Sequence, residues 1–195
     1  MNLPNKITMS RIFMIPIFLI FIIPLPEWTN KYSVLNSFNE LVAGHGDIIA
    51  TVIFVLASIT DGIDGYIARK YNLVSNLGIF LDPIADKLMV ASALIALVQV
   101  NRVSVWVTII IVSREFIITG FRLIASDKKL VIAANMWGKI KTISQIILII
   151  AGLLLPYMGN SLPIKTFYLA ITLLTLFATI YSAMAYIYKN KSILI

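Results

Sequence analysis

Four aspartates, at 61, 64, 82 and 86, fall within 26 residues of a chain that is otherwise largely apolar. Asp61 and Asp64 are three apart, and Asp82 and Asp86 are four apart, so on helices each pair shares one face. Two such faces turned toward each other make an all-oxygen cage carrying up to four negative charges. In an apolar setting only cations make that arrangement tolerable. The stretch is therefore expected to hold metal, and the rest of the chain must form a scaffold that brings two helices together there.

The scaffold is set by apolarity. Of the 195 residues 59% are hydrophobic and 13% charged, against about a quarter charged in soluble domains. The long apolar runs predict membrane spans of about 20 residues each. The sequence has no cysteine, hence no disulfide or thiolate metal site. His45 stands alone among glycines and lacks the companions that zinc sites draw on. The net charge of +7 does not indicate nucleic acid, because Lys and Arg gather at span ends, where they face anionic lipid headgroups.

In chain order the pattern predicts an all-α integral membrane protein of six transmembrane helices in one domain, 1–195. The spans are expected near 12–26, 48–70, 77–100, 103–125, 142–157 and 164–188. A short helix is expected within residues 1–11, either interfacial or joined to the first span, which crosses only if those turns extend it. A polar loop is expected between Glu27 and Asp47, with Trp28 and Tyr32 at the membrane boundary. Pro83 is read as an early helical position, where no N–H partner is lost. On the last span Phe167, Leu169, Leu173, Leu174 and Phe177 offer a packing face. One acidic pair closes the second span and the other opens the third, so a short connection sets both at one depth. Lys6, Arg11, Arg69, Lys70, Lys128, Lys129, Lys139, Lys141, Lys189 and Lys191 fall on the side of the termini, against Lys31, Arg102 and Lys165 opposite. That excess predicts a cell-membrane protein whose termini and aspartates face the cytoplasm.

Carboxylate oxygens suit hard divalent cations such as Mg²⁺ or Mn²⁺, often shared with substrate phosphates. Four aspartates suit two such ions, a known device for displacement at phosphorus. Gly65 and Gly78 leave room for a substrate to approach the backbone, Ala68 continues the small face, and Arg69 can hold a phosphate. Taken singly, each has a plainer use: glycines for close helix packing, an aspartate as a cap, an arginine reaching lipid phosphate. Together the residues Asp61, Asp64, Gly65, Ala68, Arg69, Gly78, Asp82 and Asp86 match D-x2-D-G-x2-A-R-x8-G-x3-D-x3-D without exception. This resembles the motif of the CDP-alcohol phosphatidyltransferases, membrane enzymes of six transmembrane helices.

The resemblance implies transfer of a phosphatidyl group from CDP-diacylglycerol to an alcohol, with release of CMP. It implies that Asp61, Asp64, Asp82 and Asp86 hold two divalent cations and that Asp86 is the general base. Asn5, Thr8, Asp61, Gly65, Arg69, Ser75 and Gly78 are the implied contacts for CDP-diacylglycerol, and a homodimer is implied as well. NLPNKITMSR at the start, SREFIITGFR in the fourth span and WGKIKT at 137–142 are similar to members that use glycerol 3-phosphate. A dianionic acceptor needs fixed cations, and Arg114, Arg122, Lys139 and Lys141 are the candidates. Positive-inside bias for the lysines, and an ion pair of Glu115 with one arginine, are the structural alternatives. Other acceptors (inositol phosphate, serine, phosphatidylglycerol) would leave the aspartate motif unchanged. An ion carrier could also use intramembrane aspartates, but it leaves Gly65, Arg69 and Gly78 without a task.

Overall fold

The computed structural model describes residues 3–70, 76–127, 136–159 and 161–190. Among them are seven α-helices and no strand: α1 (Leu3–Ile22), α2 (Ser33–Leu41), α3 (Asp47–Lys70), α4 (Asn76–Gln99), α5 (Val105–Asp127), α6 (Met136–Met158) and α7 (Leu162–Lys189). All but α2 are 20 to 28 residues long, enough for about 30 Å or more at 1.5 Å per residue. Three stretches, Ser33–Thr60, Met136–Met158 and Leu162–Lys189, are long and apolar enough to cross a membrane. Among the described residues the protein is all-helical, with the long apolar helices of a membrane protein.

The helices meet along seven-residue rows. On α1 the buried positions are Thr8, Arg11, Ile15, Phe18 and Ile22, and on α3 they include Ala50, Phe54 and Ala57. Phe18 and Phe54 meet at 6.3 Å between ring centroids. α4 adds Ala85, Met89, Ala93, Ala96 and Leu97, and α6 adds Leu148, Ile149, Gly152 and Leu153. Alanine and glycine recur in these rows because lipid gives helices no hydrophobic reason to associate. Close backbone approach and dispersion supply the attraction instead. At Gly152 a Cβ would stand 2.8 Å from the Tyr168 hydroxyl and 3.0 Å from Leu97 Cδ1, so α4, α6 and α7 converge on a missing side chain.

The expected polar loop between Glu27 and Asp47 is instead mostly helical. A 3-10 turn (Glu27–Lys31) leads into α2, and a π turn (Val42–Gly46) carries helical backbone on into α3. Leu25 N–H donates to Asn39 Oδ1 at 3.0 Å, Phe21 packs on Phe38 at 5.9 Å, and the Tyr157 hydroxyl donates to Gly44 O at 3.0 Å. The π turn passes close against α1, where a Cβ on Gly46 would run into the carbonyl of Phe21. His45 is exposed on this turn.

Three further expectations are corrected. The helical turns before the first span join it, with no separate interfacial helix among the described residues: α1 runs unbroken from Leu3, with Thr8 and Arg11 on its packed face, and it stops at Ile22, short of the expected limit at 26. The prolines at 24 and 26 account for that end. Pro83 lies eight residues into α4 rather than in its first turn, so its missing N–H does cost a helical bond. Phe167, Leu169, Leu173, Leu174 and Phe177 are exposed, and α7 packs through Thr175, Ala178, Thr179, Ser182 and Tyr186.

At the end of the bundle away from the motif, Arg102 clasps Asp47. Its Nη1 and Nη2 donate to the two carboxylate oxygens at 2.6 and 2.9 Å, and Nη1 also reaches Leu153 O at 3.3 Å. The turn presenting it has Asn101 at φ 58°, a left-handed position that asparagine tolerates. The pair ties α3, the α4–α5 turn and α6 together. Asp47→Ala is expected to lower stability by about 3 kcal/mol, the cost of leaving a largely desolvated guanidinium without its carboxylate. Thermal unfolding in detergent reads this directly, and an unchanged Tm would contradict the role assigned to the pair.

Candidate functional site

The motif occupies the facing ends of α3 and α4. Positions 61 and 64 continue the row that runs through Ala50, Phe54 and Ala57, and positions 82 and 86 precede Met89 and Ala93 on α4. The two helices are packed neighbours. Ser75 and the side chains of Asn5, Asp61, Asp64, Gly65, Ala68, Arg69, Gly78 and Asp82 lie outside the described residues. The described members of the expected site are Thr8, Asp86, Arg114, Arg122, Lys139 and Lys141.

Asp86 is half-buried and forms part of the wall of a cavity of about 40 Å³. α1 contributes Arg11 to that wall, α3 contributes Phe54 and Ser58, and α6 contributes Thr142. Thr8 is fully buried one turn before Arg11 on α1. A carboxylate, a hydroxyl pair and a guanidinium thus share one small space at the aspartate end of the bundle. Asp86 is the anionic oxygen donor of the kind a hard cation takes, while the Arg11 guanidinium and the apolar Met89, Val90 and Ile146 in the same wall offer such an ion nothing. Any divalent ion here therefore depends on the other carboxylates of the motif. Among the described residues alone, no group of three or more His, Cys, Asp or Glu is brought together.

Beside this cavity the cations form a second cluster, built on Glu115. The Lys141 Nζ donates to Glu115 Oε1 at 2.6 Å, and Arg114 Nη1 donates to the same oxygen at 3.1 Å. Arg114 Nη2 donates to the Ser182 hydroxyl on α7 at 3.1 Å. Position 114 falls in the packed row of α5 with Ile111, Ile118 and Phe121, and Lys141 opens the packed row of α6. Arg114 and Lys141 are therefore interior cations held by one carboxylate; the ion pair of Glu115 with one arginine is realised with Arg114, and Lys141 joins it. Arg122 is exposed, with its Cζ 5.6 Å from the centroid of the Tyr186 ring. Lys139 is exposed on another side of α6, since two residues turn a helix by about 200°.

Sequence reasoning missed four participants. Lys87, next to Asp86, lies within electrostatic reach of Glu115, Asp86, Arg122 and Arg114, and so links the two clusters. Arg11 counted only as a boundary charge, yet it is 1% exposed inside the bundle. Ser182 and Tyr186 complete the row 175, 179, 182 and 186, and that helical spacing of polar residues inside an apolar span was the available signal.

The chain matches the sequence model of the CDP-alcohol phosphatidyltransferases over residues 1–188. It is 45% identical over 191 residues to the CDP-diacylglycerol–glycerol-3-phosphate 3-phosphatidyltransferase of Bacillus subtilis, covering 97% of this chain and 95% of that protein. It is 36% identical to the Haemophilus influenzae protein of the same name, across 100% and 96% of the two chains. Identity with the Mycoplasma pneumoniae protein of that name is 37%, across 95% and 84%.

Proposed function

The chain belongs to the CDP-alcohol phosphatidyltransferase family, and on that premise we propose that it transfers the phosphatidyl group of CDP-diacylglycerol to glycerol 3-phosphate. The products are phosphatidylglycerophosphate and CMP. The observation that carries the acceptor assignment is the Arg114–Glu115–Lys141 cluster adjoining Asp86. With Lys87 and Arg122 near, cations outnumber the carboxylates around Glu115 among the described residues, the sign of charge that a phosphate dianion needs. Relatives that align over nearly their whole length carry the corresponding name.

In this reading the six long helices all cross the membrane, and the positive excess on the side of the termini sets that side, with the motif, in the cytoplasm. The donor's acyl chains lie among the helices and its CDP group lies in the polar end, against Asn5, Thr8, Gly65, Arg69, Ser75 and Gly78. Members of the family generally depend on divalent cations, and Asp61, Asp64, Asp82 and Asp86 would hold two here. Bound there, such ions neutralise the diphosphate and the departing CMP. Asp86 accepts the proton of the acceptor hydroxyl as its oxygen forms a bond to the β-phosphorus and the phosphoanhydride bond to CMP breaks. Arg114, Arg122 and Lys141 hold the acceptor phosphate and so aim the hydroxyl, while Lys139, turned to another side of α6, falls outside that pocket. The protein is taken to work as a homodimer.

The test is release of CMP from CDP-diacylglycerol by the purified protein with Mg²⁺, offered glycerol 3-phosphate, serine, inositol phosphate or phosphatidylglycerol in turn. Release with glycerol 3-phosphate alone is expected. Release only with another alcohol would keep the donor chemistry and discard the acceptor assignment.

A further inference from the structure

The seam between α5 and α7 contains more hydrogen-bond donors than the protein itself satisfies. Tyr186 is 4% exposed, its ring edge-on to Phe121 at 5.8 Å and facing the Arg122 guanidinium. Its hydroxyl is buried without any hydrogen-bond partner, and so is Nε of Arg114. One turn before Tyr186, the Ser182 hydroxyl already donates to Thr179 O at 2.9 Å while accepting from Arg114. The one carboxylate in the cluster, Glu115, is already shared between Arg114 and Lys141.

Burying a donor with no acceptor costs about 1–3 kcal/mol, and Tyr186 and Arg114 each carry such a donor. The charged groups facing Tyr186 and Arg114 from α5 and α6 are Arg122, Lys141 and the committed Glu115. What the seam lacks is an anion rich in acceptor oxygens. A phosphate monoester, with three non-bridging oxygens and up to two negative charges, has that chemistry.

We propose that Tyr186 is a specificity-determining residue for the acceptor, its hydroxyl donating to the acceptor's phosphate between Arg114 and Arg122. The inference rests on the proposed use of glycerol 3-phosphate and adds a neutral donor, from a helix outside the aspartate motif, to the expected cations. Set between two guanidiniums, which repel an amine and gain little from a hydroxyl, the Tyr186 donor adds a hydrogen bond that a phosphate oxygen can accept. Tyr186 touches the phosphate and not the reacting hydroxyl, so its loss weakens binding rather than chemistry.

The variant is Tyr186→Phe, which removes one oxygen and keeps the ring against Phe121 and Arg122. Initial rates of CMP release are measured against glycerol 3-phosphate and, separately, against CDP-diacylglycerol. The expected result is a KM for glycerol 3-phosphate raised about tenfold or more, as for a hydrogen bond to a charged group. kcat and the KM for CDP-diacylglycerol should stay within about twofold. A purely structural tyrosine would not give this pattern. Deleting an unpartnered buried hydroxyl is expected to leave Tm without substrate unchanged or slightly raised. The rise in Tm that glycerol 3-phosphate produces in the wild type should shrink in the variant. Tyr181→Phe, stacked on Phe177 at 5.8 Å, serves as the control and should leave both KM values alone. Wild-type protein that uses glycerol 3-phosphate, with a Tyr186→Phe variant of unchanged KM, would overturn this inference alone. Wild-type protein that does not use glycerol 3-phosphate would overturn the functional reading, and this inference with it.

Discussion

Asp86→Asn is expected to lower kcat by about 10²–10⁴-fold while leaving the fold intact, because a positioned general base contributes on that scale. Asparagine matches aspartate in size and keeps an oxygen toward the cavity that Asp86 shares with Arg11, Ser58 and Thr142. It has no useful basicity, so the acceptor hydroxyl keeps its proton as it approaches phosphorus. The loss should appear in kcat and in kcat/KM alike, since the proton moves only on the way to the transition state. An unchanged Tm would separate lost chemistry from lost structure. A variant retaining more than about a tenth of wild-type kcat would remove Asp86 from the role of base.

Glu115→Ala has the second large effect, and on a different quantity. Arg114, Glu115 and Lys141 have side chains only 12%, 14% and 7% exposed. Deleting the shared carboxylate leaves two buried cations facing each other, and breaking a buried pair in this way costs about 3–5 kcal/mol. Thermal unfolding should therefore begin well below the wild-type temperature. Glycerol 3-phosphate or inorganic phosphate at high concentration should recover part of the loss, since either anion substitutes for the carboxylate between the two cations. Glu115→Gln, which keeps one acceptor oxygen, should fall between. A Tm for Glu115→Ala equal to that of the wild type would mean that the cluster does not hold α5 to α6.

Which parts of this were legible in the sequence depends on what membrane chains encode locally. The limits of α3 and α4, expected at 48–70 and 77–100 and found at Asp47–Lys70 and Asn76–Gln99, follow from abrupt changes in polarity at span ends. The short helix α2 was hidden because Val34, Leu35, Phe38 and Leu41 carry a helical period inside a segment polar enough to read as loop. The packed face of α7 was misread for a physical reason. In water the largest apolar side chains mark the inside, but lipid accepts Phe167, Leu173 and Phe177 on the outside, and the smaller or polar residues at 175, 179 and 182 meet the neighbouring helices.

The site divides along the same line. The aspartate motif is local in sequence, so its spacing and its resemblance to a family pattern could be read there, and its place on α3 and α4 follows from the helix limits. Arg114 and Lys141 could be nominated as intramembrane cations, but their shared partner joins residues 26 apart, and the Arg114 bond to Ser182 joins residues 68 apart. No spacing rule reaches so far. Nor does composition separate Lys141 from Lys139: only the helix phase of α6 turns one inward and leaves the other exposed. Arg11 is the same problem at the other end of the chain, a charge that the positive-inside count placed at the surface and the packing of α1 places inside.

The most direct test of the central claim follows the acceptor into the product. Purified protein, CDP-diacylglycerol and Mg²⁺ are incubated with glycerol 3-phosphate labelled in its carbon skeleton, and the organic phase is analysed by mass spectrometry. Labelled phosphatidylglycerophosphate formed in equal amount to the CMP released, and absent with Asp86→Asn, is the predicted result. CMP released without label entering the lipid would mean that water or another alcohol takes the phosphatidyl group, and would contradict the assignment of glycerol 3-phosphate as the acceptor.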